Sequence, residues 1–155
     1  MNPAKFFEYS RFLIIIVGTF LGFYLYHQQP VTLLHFMMPV IVLSLSGLTG
    51  IEGLFFSQSA AISLGRKTNS PYQKQSAMNN LSVAIVGFIV WLANWGKFAD
   101  AALMLCTLTF ITLSACVHTW EFFALGNRNP KNMLRGVWTI FLLTLCIPII
   151  IRSLA

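Results

Sequence analysis

Long apolar runs separated by short polar segments dominate this sequence of 155 residues. Hydrophobic residues make up 57% of the chain and charged residues only 9%, whereas a soluble domain carries about 25% charged residues. A water-facing surface cannot be built from so few charges, because a domain of this size cannot bury more than half of its residues. A lipid-facing surface removes the conflict, since the bilayer core accepts apolar side chains. We therefore predict an integral membrane protein that forms a single domain over residues 1–155.

The spacing of the apolar runs predicts an all-α, polytopic transmembrane bundle of five spanning helices. A spanning helix needs about 20 mainly apolar residues, and five runs meet this length. A bundle of four is the alternative, if the first run lies partly in the membrane interface. The second run would be about 52 Å long as one helix, so it must tilt, kink near Pro39 or leave the bilayer. The predicted helices cover about residues 6–27, 31–64, 76–95, 101–125 and 134–151.

Polar residues between the runs indicate where these helices end. Gly65 is a natural helix stop, and residues 66–75 form the clearest polar loop of the chain. Asp100 can cap the start of the fourth helix, because its carboxylate can accept a hydrogen bond from a free backbone N–H group there. A tight polar turn at residues 126–132 then leads into the fifth helix.

The Lys and Arg residues predict the orientation of the bundle. Cytoplasmic loops of membrane proteins carry an excess of these residues, and here they divide eight to two between the two sides. Because the number of helices is odd, the amino terminus is predicted in the cytoplasm and the carboxyl terminus outside. The net charge of +6 does not indicate a nucleic-acid partner, because the basic residues form no stripe with interleaved aromatics. The predicted cytoplasmic set is Lys5, Arg11, Arg66, Lys67, Lys74, Arg128, Lys131 and Arg135, and the predicted outer set is Lys97 and Arg152.

Polar and ionisable residues inside the predicted spans mark a candidate pocket for a ligand or an ion. Ionisable residues are costly in the membrane and by default indicate function. His118 and Glu121 are spaced to share one face of the fourth helix, about 13 Å and 9 Å from the turn that follows. Glu52 of the second helix and Asn79 and Asn80 of the third fall in the same layer. We therefore predict that these five side chains line one polar pocket in the cytoplasmic half of the bundle.

Structural roles compete with function at each of these positions. Glu52 can instead form a structural hydrogen bond to Asn80 or His118. His118 and Glu121 can form an ion pair that only fixes the packing of helices. Asn79 and Asn80 more often join helices than bind ligands.

Small residues on the second helix predict close packing against a neighbouring helix. Ser46, Gly50, Gly53 and Ser57 recur at a spacing that lets two helix backbones approach each other. Their face differs from that of Glu52, so the acid can point into the pocket while the small residues contact a neighbour.

The remaining His and Cys residues are assigned to no site. His27 and His35 are expected in solvated positions near the interface. Cys106, Cys116 and Cys146 lie in apolar runs without zinc-site spacing, so they are expected to be small buried hydrophobes. No cofactor is expected. The residues available to a metal ion, if any binds, are Glu52, His118 and Glu121.

Several short motifs follow one another in order between Gly50 and Asn132. They are GIEGLFF from Gly50, SPYQ from Ser70, NNL from Asn79, HxxE from His118 and GNxNPxN from Gly126. By their order and spacing the chain resembles a small prokaryotic integral-membrane family, domain of unknown function 6790. The family pattern often has acidic residues at the positions of Gln75 and Ser114, so this chain lacks two carboxylates that a metal site could use. The resemblance implies a protein of the prokaryotic inner membrane and no established activity.

Three functions fit these features. The first is a pocket that binds or conducts a proton, a cation or a small polar ligand, and a transporter of this kind would need a homo-oligomer, because the chain has no inverted repeat. The second is a structural or accessory subunit that packs into a larger membrane complex through its small residues. The third is a membrane-embedded metalloenzyme, which is disfavoured because the GxSxG and HExxH motifs are absent. The lipid bilayer is the partner common to all three.

Overall fold

In the computed structural model, residues 3–63, 65 and 71–155 are described, and they form six α-helices and no β-strand. The helices are α1 (Pro3–Tyr26), α2 (Pro30–Phe55), α3 (Ser57–Ser63), α4 (Pro71–Ala93), α5 (Lys97–Phe123) and α6 (Pro130–Leu154). All except the short α3 are long and apolar enough to cross a membrane. The prediction of an all-α bundle with five spanning helices is confirmed. Its orientation in the membrane stays a prediction.

Four of the helices, α1, α2, α4 and α6, begin at proline, earlier than the apolar pattern predicted. Proline is favoured in the first turn of a helix, because the N–H group that it lacks would have no partner there. Helix α4 begins at Pro71, so the second half of the predicted polar loop is helical, and residues 66–70 lie outside the described residues. Helix α6 begins at Pro130, and the Asn129 side chain accepts a hydrogen bond from the backbone N–H of Lys131 at 3.1 Å.

Helix α5 begins at Lys97, with Gly96 rather than Asp100 at its cap. The prediction that Asp100 caps this helix is therefore wrong. Asp100 lies within the first turn of the helix, but its side chain is only 1% exposed, so it is buried among the helices instead of capping the helix start.

The second predicted helix is not continuous. Pro39 lies inside α2 without ending it, and a π-helical turn follows at Leu43–Gly47. The chain then breaks at Phe56, whose backbone has φ −128° and ψ 28°, and α3 starts as a separate helix at Ser57. A π-helical turn shifts the faces of all residues that follow it and is often found near functional sites, so it affects where Glu52 points.

Helix α2 forms the centre of the bundle. Within the most apolar part of each spanning helix, 56% of residues are buried in α2 and 22% to 33% in the others. Its buried Leu34, Met38 and Ile41 join Met104 of α5 and Leu142 of α6 in one apolar core. This core closes the middle of the bundle, and the charged side chains lie at its two ends.

Small residues of α2 contact α4 closely. A Cβ atom added to Gly50 would lie 2.9 Å from the backbone N of Leu81, and one added to Gly53 would lie 2.7 Å from Cβ of Ala77. Ser46 is also buried, whereas Ser57 lies beyond the helix break and is half-buried. The small residues therefore let two helices of the same chain approach each other, and no larger residue fits at the two glycines without displacing α4.

Candidate functional site

A cavity of about 560 Å³ lies at the end of the bundle where α1, α4 and α6 begin and α2 and α5 end. All six helices contribute to its wall. Its charged and histidine lining residues, among those described, are Glu8, Arg11, Glu52, His118, Glu121, Lys131 and Arg135. Three acids and three bases thus face one volume, together with one imidazole, inside a chain that is otherwise very poor in charge.

An ion pair joins α1 to α2 at this cavity. The Arg11 guanidinium contacts the Glu52 carboxylate, and the side chains of the two residues are 18% and 10% exposed. Charged groups are stable at such depth only when they are paired or solvated by the site. Glu52 therefore has Arg11 as its partner, rather than Asn80 or His118.

His118 is held in one protonation state by two neighbours on α6. Nη1 of Arg135 lies 2.6 Å from Nε2 of His118, and an arginine can only donate, so Nε2 accepts. On the other side of the ring, Nδ1 lies 3.0 Å from Oδ1 of Asn132 and donates to it. The Asn132 amide is oriented by its own Nδ2, which donates to the Asn127 carbonyl at 3.2 Å. The imidazole is therefore neutral, with its proton on Nδ1.

Two further acids complete the charged lining. Oε2 of Glu121 lies 3.7 Å from Nδ1 of His118, as expected for residues spaced one turn apart. Nearer the end of the bundle, Nζ of Lys131 contacts Oε2 of Glu8 at 2.5 Å and joins α6 to α1. Both side chains of this outer pair are about 30% exposed, at 31% and 28%, so the pair lies at the mouth of the cavity.

The structure brings together four of the five residues predicted for the pocket. Glu52, His118, Glu121 and Asn80 line the cavity. Asn80 is buried and donates from Nδ2 to the Ser76 carbonyl of its own helix at 3.0 Å. Asn79 is exposed and lies outside the cavity lining, because adjacent residues of a helix point in directions about 100° apart.

Sequence reasoning missed the basic half of the site and one of its acids, Glu8. Arg11, Lys131 and Arg135 were interpreted only as charges that orient the bundle, yet each one lines the cavity. The missed signal is position: Arg11 is eight residues into α1 and Arg135 five residues into α6, which is too deep for a flanking residue. The late predicted start of α6 hid this depth.

The donor atoms do not form a metal site. Among residues 3–63, 65 and 71–155, no three His, Cys, Asp or Glu side chains are grouped closely enough to hold one ion. The nearest candidates are engaged by arginine, Glu52 by Arg11 and His118 by Arg135. The cysteines of the described residues add no ligand to such a group. The expectation that all three are buried is wrong, since Cys106 and Cys116 are exposed.

A second polar pair lies at the other end of the bundle. Nδ1 of His35 in α2 is 2.9 Å from Oδ2 of Asp100 in α5. Among the described residues, the other Asp100 carboxylate oxygen has no hydrogen-bond partner. The expectation that His35 is a solvated interfacial residue is therefore wrong, because it pairs with a buried acid and joins two helices.

These features define a class of protein: an all-α bundle with five helices of membrane-spanning length and a charged cavity at one end. The model of a family of unknown function, DUF6790, matches residues 5–155, and the chain belongs to this family. The match confirms the resemblance noted between Gly50 and Asn132 and extends it over nearly the whole chain. Searches of the curated proteins and of the solved structures found no match.

Proposed function

We propose that this protein is a multi-pass protein of the prokaryotic inner membrane that binds a small polar molecule in the charged cavity. The observation that supports the proposal is the convergence of charged side chains from α1, α2, α5 and α6 on one volume. Such residues are expensive in a membrane span, and packing alone does not require seven of them around a cavity.

The volume of the charged cavity favours a small molecule as its ligand, rather than a single proton or a bare ion. Pockets for small molecules measure about 300–1,000 Å³, and this cavity is about 560 Å³. A proton relay needs only a chain of neighbouring donors and acceptors, and the donor geometry for a metal is lacking among the described residues. A polar molecule with groups of both signs would match a wall of three acids and three bases.

The predicted orientation places this cavity on the cytoplasmic side. It lies at the bundle end where α1 begins, and among the described residues this end carries six of the eight Lys and Arg side chains. The apolar core around Met38 and Met104 separates it from the other end of the bundle. A ligand would therefore reach the cavity from the cytoplasm or from the inner leaflet.

The test is a binding screen on the purified protein in detergent micelles. Small amphoteric and charged molecules are added singly, and the shift in unfolding temperature is measured for the wild type, Arg135→Gln and Lys97→Gln. A true ligand of the cavity shifts the wild type and Lys97→Gln alike and fails to shift Arg135→Gln, because Lys97 is at the other end of the bundle. Shifts that are equal in all three proteins would contradict binding in the cavity.

The alternative of an accessory subunit has less support. It required the small-residue face of α2 to be free for a partner, yet Gly50 and Gly53 contact α4 of the same chain. A homo-oligomer or a larger complex would have to use another surface, and both stay predictions.

A further inference from the structure

A second, apolar cavity adjoins the charged one. It has a volume of about 330 Å³, and the described residues that line it are apolar: Phe12 of α1 and Leu134, Val137, Trp138 and Phe141 of α6. Phe12, Leu134 and Trp138 line the charged cavity as well. The two volumes therefore share a wall of three residues, and we call the apolar one the α1–α6 groove.

The groove opens toward the surface that faces lipid. Val137 is 61% exposed and Phe141 48% exposed, so the outer side of the groove is not covered by the chain. At its inner side, α1 and α6 meet through aromatic rings, with the Phe12 and Trp138 centroids 4.6 Å apart and nearly edge-to-face. Side chains rather than packed backbones thus separate the charged cavity from the bilayer at this point.

Charged and apolar groups follow one another along α6 in the order found in a membrane lipid. Lys131 and Arg135 are in the first two turns of the helix, and Phe141 lies about 9 Å deeper than Arg135. A lipid of the same leaflet has its polar head at the interface and its hydrocarbon chain directed to the bilayer centre. The side chains of α6 offer contacts to both parts at matching depths.

The charges of the cavity suit a head group with both signs. Guanidinium groups such as those of Arg11 and Arg135 bind phosphate in a fixed geometry. The acids that now pair with the cavity bases, Glu52 and Glu8, would need a cation in exchange when a phosphate takes over those bases. A head group that carries a phosphate and an amine supplies both charges and leaves the cavity neutral.

We propose that the ligand is a zwitterionic lipid of the surrounding leaflet, with its phosphate and amine in the charged cavity and a hydrocarbon chain in the α1–α6 groove. This inference rests on the proposed function and adds the chemical class of the ligand. The lipid enters sideways between α1 and α6, past Phe12 and Trp138.

The test distinguishes the contribution of the lipid's hydrocarbon chain to binding from that of its head group. It uses native mass spectrometry of the purified protein. The probes are dioctanoyl phosphatidylethanolamine, dioctanoyl phosphatidylglycerol and phosphoethanolamine, which is the zwitterionic head alone. Val137→Trp fills the groove without altering the charged cavity, since Val137 lines only the groove. Ile140→Trp is the matched control, because Ile140 is on the same helix, is 66% exposed and lines neither cavity.

We expect one phosphatidylethanolamine to bind per protein, more tightly than either other probe. The groove and the surrounding detergent are equally apolar, so the chain gains from packing contacts in the groove, and loss of about ten such atom–atom contacts weakens binding about tenfold. Val137→Trp should therefore weaken binding of the lipid by about this factor, and Ile140→Trp should not. Phosphoethanolamine should bind both variants equally, and Arg135→Gln should weaken both zwitterionic probes.

Three results would overturn the inference. If phosphoethanolamine and phosphatidylethanolamine bound equally, and Val137→Trp changed neither, the α1–α6 groove would not bind a hydrocarbon chain. The cavity would then still bind a polar ligand, as proposed above. Equal binding of phosphatidylglycerol would contradict the zwitterionic head. If none of the probes binds, a zwitterionic lipid is not the ligand, and the screen of polar molecules decides the proposed function separately.

Discussion

Nη1 of Arg135 in helix α6 lies 2.6 Å from Nε2 of His118 in helix α5. Since the guanidinium has no acceptor, Nε2 of the imidazole must be unprotonated, and Oδ1 of Asn132 accepts a hydrogen bond from the N–H group at Nδ1. Two helices are thus joined by a hydrogen-bond chain that requires a neutral histidine in a single tautomer, beside a cavity that also contains Glu121.

The tautomer of His118 is the first prediction. In the folded protein at neutral pH, the ¹⁵N chemical shifts of His118 should be those of a neutral ring protonated on Nδ1. The measurement is NMR of the protein labelled with ¹⁵N at histidine, in micelles. The same spectrum of Arg135→Gln shows whether the tautomer of His118 depends on Arg135. His27 is exposed and serves as the comparison ring, since Arg135→Gln should change the His118 signals and leave those of His27 as they are. An imidazolium spectrum at His118 would contradict the hydrogen-bond chain.

The second prediction concerns the Arg11–Glu52 ion pair. Glu52→Gln leaves the guanidinium at a depth where it has lost its counter-charge, and this should destabilise the fold by on the order of 3 kcal/mol. Arg11→Gln should cost a similar amount, because it leaves the carboxylate alone. The measurement is the free energy of unfolding in mixed detergent micelles.

The double variant Arg11→Gln/Glu52→Gln supplies the control for this pair. With neither charge present, no unpaired ion remains, so the double variant should be more stable than the sum of the single changes allows. Additive losses would mean that the two side chains act independently, and the ion pair would then not stabilise the bundle.

The third prediction concerns Gly50 at the α2–α4 contact. In Gly50→Ala the new Cβ meets the backbone of Leu81 and Ala77 at 2.9 Å and 3.0 Å, and backbone atoms cannot move aside as a flexible side chain can. We expect a loss of about 1–3 kcal/mol in the free energy of unfolding, as for other overpacked sites. The measurement is the same unfolding experiment.

Gly136→Ala is the matched control for Gly50→Ala. A Cβ atom at Gly136 would lie 3.5 Å from Oγ1 of Thr119, an ordinary contact. Replacing a helical glycine by alanine then gains up to about 1 kcal/mol from helix propensity. If both alanine variants behaved alike, the close approach of α2 and α4 would not be what makes Gly50 necessary.

The fourth prediction is the orientation in the membrane. An alkaline phosphatase reporter, which is active only outside the cytoplasm, should be active when fused after Gln28 and inactive when fused after Gly126. The reason is the excess of Lys and Arg on the side of the second position. The reverse pattern of activity would place the charged cavity at the outer face and overturn the proposed cytoplasmic access.

Several features of the fold, and three of the seven charged and histidine residues that line the cavity, could be predicted from the sequence. Glu52, His118 and Glu121 were found because an ionisable residue in an apolar run has few alternatives to an interior position. The basic residues were missed because the same Lys and Arg residues also fit a role in topology, and sequence position alone does not separate the two roles. His35 and Asp100 were missed as a pair because each one, taken singly, fits a helix end.

The sequence by itself determined the number and the helical nature of the spans, because backbone groups in a bilayer can be satisfied only within a helix or a closed barrel. Only the tertiary structure decided the partner of each charge. Arg11 and Glu52 are 41 positions apart, and their contact depends on which helices are neighbours and on the π-helical turn that rotates the end of α2. Those features come from packing among apolar side chains, which the pattern of charges along the chain does not report.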